Sequence, residues 1–319
     1  MSHVVMFGGG LASYGVLRRV VQQEGPASVL ALIADTGTED ADLWRFTYQV
    51  KESLGVRLAI LRVPLVADGG DVWDLFDAQG MIGNTRADLC SRMMKREPLR
   101  KYIEERFDPA TTTVYLGFDA TEEHRFDRSK PHWSPWTIRA PLIEGGVWKD
   151  QCEAEASAAG IAPPRLYAMG FAHNNCGGFC IKAGHGAFIT LLKQMPERFA
   201  YHERREAEFR ERTGKDVAIL RDRTGGTTTP LTLAALRVRH ERTPQQIDLF
   251  DIGGCDCFTP DPAPAAPGDG ALPLDARCMA IQVLSPDGIT VLSGLCGAPL
   301  PCAFHGTPAP PDARTDEEK

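Results

Sequence analysis

The sequence predicts an α/β fold, a parallel twisted sheet flanked by helices, and three observations carry that prediction. Short apolar runs alternate with amphipathic stretches through the first half of the chain. A run of glycines closes the first apolar run. Polar residues with chemical potential cluster just after the others. Taken in order, strand His3–Phe7 precedes helix Ser13–Gln23, where Leu17, Val20 and Val21 stand at helical spacing. Strand Ser28–Ala34 precedes helix Asp40–Leu54, whose apolar face is Leu43, Phe46, Val50 and Leu54. Strand Leu58–Val63 follows, then short helices near Val72–Phe76 and Pro98–Arg106, then strand Thr113–Phe118. Strands separated by helices imply a parallel sheet covered on both faces, with ligands outside the carboxyl ends of the strands.

Beyond residue 148 the pattern changes. Residues 149–213 read as largely helical, broken at Pro163-Pro164, at the Asn174–Gly178 turn and at Pro196. Arg221, Asp222 and Arg223 follow the apolar Val217–Leu220 and open on Thr224-Gly225-Gly226, a strand end leading to a loop able to close over substrate. Met279–Leu284 and Ile289–Leu292 flank Ser-Pro-Asp-Gly and read as one β-hairpin. The organisation predicted is an α/β nucleotide-binding part over 1–148 and a mostly helical, cysteine-containing part over 149–258. A Pro/Ala/Gly-rich linker over 259–275, a small appended hairpin over 276–306 and a disordered tail over 307–319 complete it.

Composition bounds the function. At 319 residues and 43% hydrophobic content the chain can bury a sizeable core. No apolar run approaches the roughly 20 residues needed to cross a bilayer, and Met1 leads almost at once into the first strand. A cytoplasmic enzyme without a membrane partner is the expectation. The net charge of −7 argues against broad electrostatic capture of nucleic acid. Residues 203–242 carry ten Lys/Arg against seven Asp/Glu, but the signs alternate along a predicted helix, Glu203–Arg212, as on a solvated face. A homodimer is admitted by the sequence without being required.

The junction Val4–Ser13 is a strand, a tight loop and a helix start. It aims backbone N–H groups and the positive end of a helix dipole at one point. Phe7 leads into the loop, Gly8, Gly9 and Gly10 present no Cβ to hold a phosphate away, and Ser13 either caps the helix or donates to a ligand oxygen. A Walker loop would need a Lys-Ser/Thr pair, which is missing. The dinucleotide pattern G-x-G-x-x-G survives in part through Gly8, Gly10 and Asp35, with Ser13 at the third glycine position. The PP-loop pattern S-G-G-x-D-S aligns with Gly8–Ser13, with Gly8 for the first serine and Ala12 for the aspartate. A glycine-rich turn without a ligand is the plain alternative. On this reading Gly9→Val drives a side chain into the phosphate cradle.

Five segments together resemble the phosphoadenosine-phosphosulfate (PAPS) reductase-like branch of the adenine nucleotide α-hydrolases, in particular its uncharacterised phage and bacterial members. They are the loop Gly8–Ser13; Ala34-Asp35-Thr36-Gly37-Thr38-Glu39, similar to D-T-G-x-x-x-E; and Cys90 with Lys95, Pro98 and Leu99, similar to C-x(4)-K-x-x-P-L. The others are Gly117–Arg125, similar to G-x-R-x-x-E-x-x-R, and Ala140–Glu144 continuing to Asn175–Cys180. The resemblance implies ATP or an adenylyl sulfate (PAPS or APS) in the crevice, phosphate on the glycine loop, and Asp35 or Thr36 near the adenosine, with Gly37 keeping the backbone open to the ligand. Gly117, Glu122 and Arg125 would lie near the phosphates, with Asp119 where reductases often have arginine.

Chemistry agrees with part of this. An arginine such as Arg125 can pair bidentately with a phosphate while Glu122 or Glu123 orients it or helps hold Mg²⁺; the competing account is a surface salt bridge. Asp35, at a strand end, is equally a common turn-former.

Nine cysteines is a high and odd number for a cytosolic chain. Cys176-Gly-Gly-Phe-Cys180 and Cys255-Asp-Cys257 place thiols on glycine-rich turns, and Cys90 precedes a predicted helix. Four thiolates from Cys90, Cys176, Cys180 and Cys257 could hold a 4Fe–4S cluster or, less well matched by the C-x(3)-C spacing, a structural zinc. Cys255 could replace Cys257. Cys152, Cys278, Cys296 and Cys302 lack a converging pattern and read as packing residues. Lys182, beside Cys180, would neutralise anion or thiolate charge; His173 and His185 flank the same turn.

The chemistry expected is ATP pyrophosphatase (adenylation) activity coupled to sulfur transfer, with a sulfur or electron donor and a nucleic-acid or small-molecule acceptor. Reduction of an adenylyl sulfate is the alternative; it needs a cysteine near the C-terminus, and Leu295-Cys296-Gly297 and Pro301-Cys302-Ala303-Phe304-His305 do not match the usual Glu-Cys-Gly-Leu-His. Nucleotide binding without turnover, as in a sensing or defence component, is the third.

Overall fold

Val4, Met6, Leu30, Leu32, Ala59 and Leu61 alternate along the chain with Val5, Phe7, Ala31, Ile33, Leu58 and Ile60, and both sets are buried, each in a different core. Period-two alternation with apolar residues on both faces is what a sheet covered on both sides requires. A computed structural model describes residues 1–63, 65, 70–84, 87–223, 226–242, 280–285 and 288–292. Five strands are mutually parallel: β1 (Ser2–Met6), β2 (Val29–Asp35), β3 (Arg57–Arg62), β4 (Thr112–Tyr115) and β5 (Thr137–Arg139), in the spatial order β5-β4-β1-β2-β3. The fold is the predicted α/β class.

Helices α1 (Leu11–Glu24) and α2 (Ala41–Leu54) cover the face of Val5, Ile33 and Ile60. Asp40 caps α2 by accepting from Asp42 N–H at 3.0 Å, and its carboxylate also accepts from Nε and Nη2 of Arg165 at 2.8 and 2.7 Å. The opposite face packs on α4 (Glu97–Arg106) through Leu99, Tyr102 and Ile103, with Trp133 and Trp136. A six-residue π segment, Ser91–Arg96, leads directly into α4.

A third core lies beside the sheet. It joins α3 (Val72–Gln79), the Cys176–Gly178 turn, α9 (His185–Gln194) and α10 (Pro196–Thr213). A short hairpin of β6 (Leu220–Asp222) and β7 (Thr229–Leu231), then α11 (Leu233–Arg242), complete it. Trp73 sits at its centre, fully buried, and donates from Nε1 to His202 Nδ1 at 2.9 Å. The His202 ring stacks on Phe179 with centroids 3.5 Å apart. Burial and the Arg198 and Arg205 charges hold the imidazole neutral, with its pKa down at about 2. The segment between sheet and third core carries α5 (Glu123–Trp133), α6 (Pro141–Glu144), α7 (Lys149–Ala158) and α8 (Arg165–Ala168).

The expected hairpin is β8 (Ala280–Ser285) with β9 (Gly288–Leu292). It joins the main sheet: β8 pairs antiparallel with β3 from Leu58↔Leu284 to Arg62↔Ala280, so the sheet has seven strands. The reason is an edge otherwise unpaired at β3. The charged stretch after Gly117, for which the sequence predicts no element, is helical as α5 from Glu123; only Ser129 and Trp133 on it are buried, a stripe too thin to show in the pattern. The linker and tail segments lie outside the described residues. Among the described residues no helix is long and apolar enough to cross a membrane.

The strand order matters for function. The chain runs outward from β1 through β2 to β3, then returns to place β4 on the other side of β1. A crevice opens at such a switch point, outside the carboxyl ends of β1 and β4.

Candidate functional site

The glycine loop occupies that crevice. Gly10 is the N-cap of α1 in an extended conformation (φ −115°, ψ 172°), and Ser13 Oγ donates to Gly10 O at 2.8 Å and accepts Gly10 N–H at 3.2 Å. Of the two roles open to Ser13, the hydroxyl therefore performs the cap. Gly9 has a positive φ of 70°, and a Cβ built on it would meet the Leu43 side chain at 2.6 Å. That corrects the expectation for Gly9→Val: the added side chain strikes α2, not the phosphate cradle. The residue whose Cβ would point into open space is Gly8, on the cavity wall.

Residues from the α8 region close over the loop. Tyr167 Oη accepts Leu11 N–H at 3.3 Å, so a side chain takes one of the amides freed at the start of α1. Burial pushes this phenol up to about 12 despite the Leu11 and Asn174 N–H groups bonding to it, so it keeps its proton at neutral pH. Asn174 Nδ2 donates to Gly9 O at 2.7 Å.

One cavity gathers Phe7, Gly8, Gly10 and Ser13 after β1, Ala34 and Glu39 after β2, and Gly117, Phe118, Asp119, Glu122 and Arg125 after β4. Lys95, Lys149, Tyr167, His173, Asn174 and Asn175 complete its polar wall. Three cations thus face a glycine loop. Arg125 is ion-paired with Glu122, and their side chains are 12% and 18% exposed, which makes this no ordinary surface bridge. The Arg125 guanidinium also lies 5.3 Å from the Phe118 ring centre. Lys149 donates to Ala172 O and sits 4.6 Å from the Tyr167 ring centre; burial lowers its pKa, opposed by Asp119 and Glu153. Lys95 Nζ stands 3.7 Å from Glu39 Oε1 and 3.6 Å from Cys176 Sγ. Asp119 braces its own turn, its Oδ1 accepting Thr121 N–H at 2.9 Å and Thr121 Oγ1 at 2.6 Å. Glu123 is exposed and outside the cavity lining.

Several predicted residues lie elsewhere. Gly9, Asp35, Thr36 and Gly37 are not in the cavity lining. Asp35 Oδ1 accepts Gly37 N–H at 2.8 Å and Oδ2 pairs with Arg62 at 3.2 Å, which is the turn-forming role. Burial first, then the Glu39 charge, raises its pKa to about 6 against the pull of Arg62. Thr36 is fully buried and both its N–H and hydroxyl reach Glu39, at 2.9 and 2.8 Å. Of this loop, Glu39 is what the cavity sees. Lys182 is paired with Asp88 at 3.9 Å in a separate buried cluster with Arg96.

The thiols divide. Cys90 packs within the third core. Cys176, buried, holds a left-handed backbone (φ 49°) next to the cavity residue Asn175. Cys180 is half-buried, and Cys257 lies outside the described residues. Among the described residues no three His, Cys, Asp or Glu side chains converge as metal ligands. Cys152 is a packing residue: its Sγ would be 2.3 Å from a Cβ on Gly15, and burial raises its pKa to about 11. His185 Nε2 bonds Arg221 O at 2.9 Å.

Sequence reasoning did not single out Lys149, Tyr167 or Asn174 as site residues. Lys95, Glu39, Asn174 and Asn175 lay at or beside the segments that carried the resemblance; Lys149 and Tyr167 carried no signal, because they share the cavity with a loop more than 130 residues away in the chain.

No family model matches the chain, and no curated protein matches it. Among solved structures the chain is similar to phosphoadenylyl-sulfate (PAPS) reductase from Candida auris in its phosphate complex. The identity is 16% and the TM-score 0.40, with 54% of this chain and 79% of that chain covered. A likeness of that size assigns no residue a role. Fold and cavity together define an α/β protein with a glycine loop in a switch-point crevice.

Proposed function

We propose that this chain is an adenine-nucleotide-binding enzyme of the PP-loop type, with ATP in the crevice and its phosphates against the Gly8–Ser13 loop. One observation carries the reading: Lys95, Arg125 and Lys149 share a cavity with the glycine loop at the switch point of the sheet. A triphosphate needs dense positive charge and backbone approach without Cβ obstruction, and this wall supplies both. Arg125, oriented by Glu122, matches a phosphate's planar pair of oxygens; Lys95 and Lys149 act as point charges. Mg²⁺ would find its oxygen donors here in Glu122 and Asp119, and would supply further charge neutralisation.

The reaction proposed is adenylation. An acceptor oxygen attacks the α-phosphorus, the bond to the bridging oxygen breaks, and pyrophosphate leaves with the electron pair. Catalysis of this kind rests on positioning and charge neutralisation, so it needs no protein nucleophile. Sulfur transfer extends the reading: a sulfur donor displaces AMP from the adenylated acceptor. No step is routed through a cluster, since the fourth thiol, Cys257, would have to join Cys90, Cys176 and Cys180.

The test is titration of the purified protein with ATP and Mg²⁺ by calorimetry, with pyrophosphate release measured alongside. Binding that Arg125→Ala weakens by about tenfold or more is expected. Binding without pyrophosphate in the presence of candidate acceptors reduces the protein to a nucleotide binder. Sulfite release from an adenylyl sulfate and a thiol replaces adenylation by reduction, and no binding of either nucleotide ends the proposal. Metal analysis after anaerobic purification decides the cluster: an iron-free preparation removes the iron–sulfur part of the reading.

A further inference from the structure

The amide of Asn174 is 2% exposed and lines the cavity beside the glycine loop. Its two ends are not interchangeable. The nitrogen donates to the Gly9 carbonyl at 2.7 Å, a bond only the NH₂ end can make, and this assigns the other end as oxygen. That oxygen, Oδ1, is buried and has no hydrogen-bond partner among the described residues. A buried amide oxygen left unpaired is costly, and such atoms in folded proteins are the exception.

An ionised phosphate cannot satisfy it. Phosphate oxygens accept hydrogen bonds and so does Oδ1, so the polyphosphate itself would only repel this atom. The three cations on the wall suit the anion; Asn174 suits something else. Resting on the nucleotide reading above, we propose that Asn174 Oδ1 is a specificity-determining acceptor. It receives a hydrogen bond from a donor on the nucleoside part of the ligand, a ribose hydroxyl or the base amine. The site is thereby built for a phosphate ester carrying a donor close to its phosphates, in preference to inorganic pyrophosphate or triphosphate. The side-chain bond to Gly9 O and the Asn174 N–H bond to Tyr167 hold the acceptor beside the loop, so the donor's place is set before the ligand arrives.

Calorimetric titration of the full chain with ATP, 2′-deoxy-ATP, 3′-deoxy-ATP and the triphosphate of purine riboside separates the two donor sources. One analogue is expected to bind about tenfold or more weaker than ATP, and its identity names the donor. In Asn174→Ala the same analogue and ATP should bind within about twofold of each other, because the acceptor whose loss is being read is gone. Since that variant also loses the Gly9 bond, the comparison between ligands on one protein, not between proteins, is the readout. If ATP binds and all four ligands agree within about twofold on the native chain, water or a lysine meets Oδ1 and this inference fails alone. It fails alone, too, if the discrimination persists undiminished in Asn174→Ala. If ATP itself does not bind, the nucleotide reading fails and takes the inference with it.

Discussion

A Cβ built on Gly8 meets nothing within 4 Å, whereas one on Gly9 meets Leu43 at 2.6 Å on a backbone already at φ 70°. These adjacent glycines therefore separate ligand binding from folding. Gly8→Val should leave the urea midpoint nearly unchanged and weaken ATP binding by about tenfold or more, because its Cβ meets no protein atom and the added bulk sits on the cavity wall. Gly9→Val should lower stability by roughly 1–3 kcal/mol through backbone strain and overlap. Equal ATP affinity in Gly8→Val and the native chain would show that phosphate does not lie on this loop. At this scale the sequence was informative about residue type and silent about direction. Three consecutive glycines announced a close approach, but which one faces the ligand depends on where α2 sends Leu43. Asp35 illustrates the same limit. A carboxylate at a strand end is equally a turn brace and a ligand contact; its bonds to Gly37 and Arg62 show the brace, and no spacing in the sequence distinguishes the two roles.

Elements with strong periodicity were legible. Helices α1 and α2 bury full apolar stripes and follow apolar strands, and both appear within a few residues of their expected bounds. Helix α5 and strand β5 were missed, for they bury little: β5 has no buried residue. The latch over the glycine loop was also out of reach of local pattern. Tyr167, within the four-residue α8, bonds the first turn of α1 across 156 positions. Tyr167→Phe removes the acceptor from Leu11 N–H while keeping the ring under Lys149. The expected cost is about 1–2 kcal/mol, read as a lower urea midpoint at unchanged slope. An unchanged midpoint would mean that water replaces the hydroxyl and that the latch contributes nothing to stability.

For the whole molecule, the third core is fastened by one carboxylate. Glu206 on α10 is 1% exposed and accepts Ile219 N–H at 3.1 Å and Leu233 N–H at 2.7 Å, tying the β6–β7 hairpin and α11 to the helix. Burial raises its pKa from 4.5 to about 7, more than the two N–H bonds and Arg210 lower it. The folded chain thus holds a proton that the unfolded chain has already lost between about pH 4.5 and 7. Its contribution to stability falls as pH rises through that window. Glu206→Gln does not titrate, so native minus variant stability should decline by on the order of 2–3 kcal/mol from pH 4.5 to 7.5. Asp35 acts in the same sense up to about pH 6, and His202, depressed to about 2, in the opposite sense below 6.5; both cancel in the difference. Paired urea titrations across this range check it, and a flat or rising difference would show that Glu206 is ionised throughout.

Composition, strand–helix alternation and the run of glycines were sufficient for the α/β class and for placing a ligand crevice after β1. Those properties are local: period-two and period-3.6 burial and a turn needing no Cβ are written in neighbouring residues. The membership of the crevice was not local. Tyr167 and Asn174 reach the loop, Lys149 joins its cavity, and β8 reaches β3, only because the chain folds back on itself. Contacts between distant segments are set by which faces pack together, and no spacing within either segment encodes that.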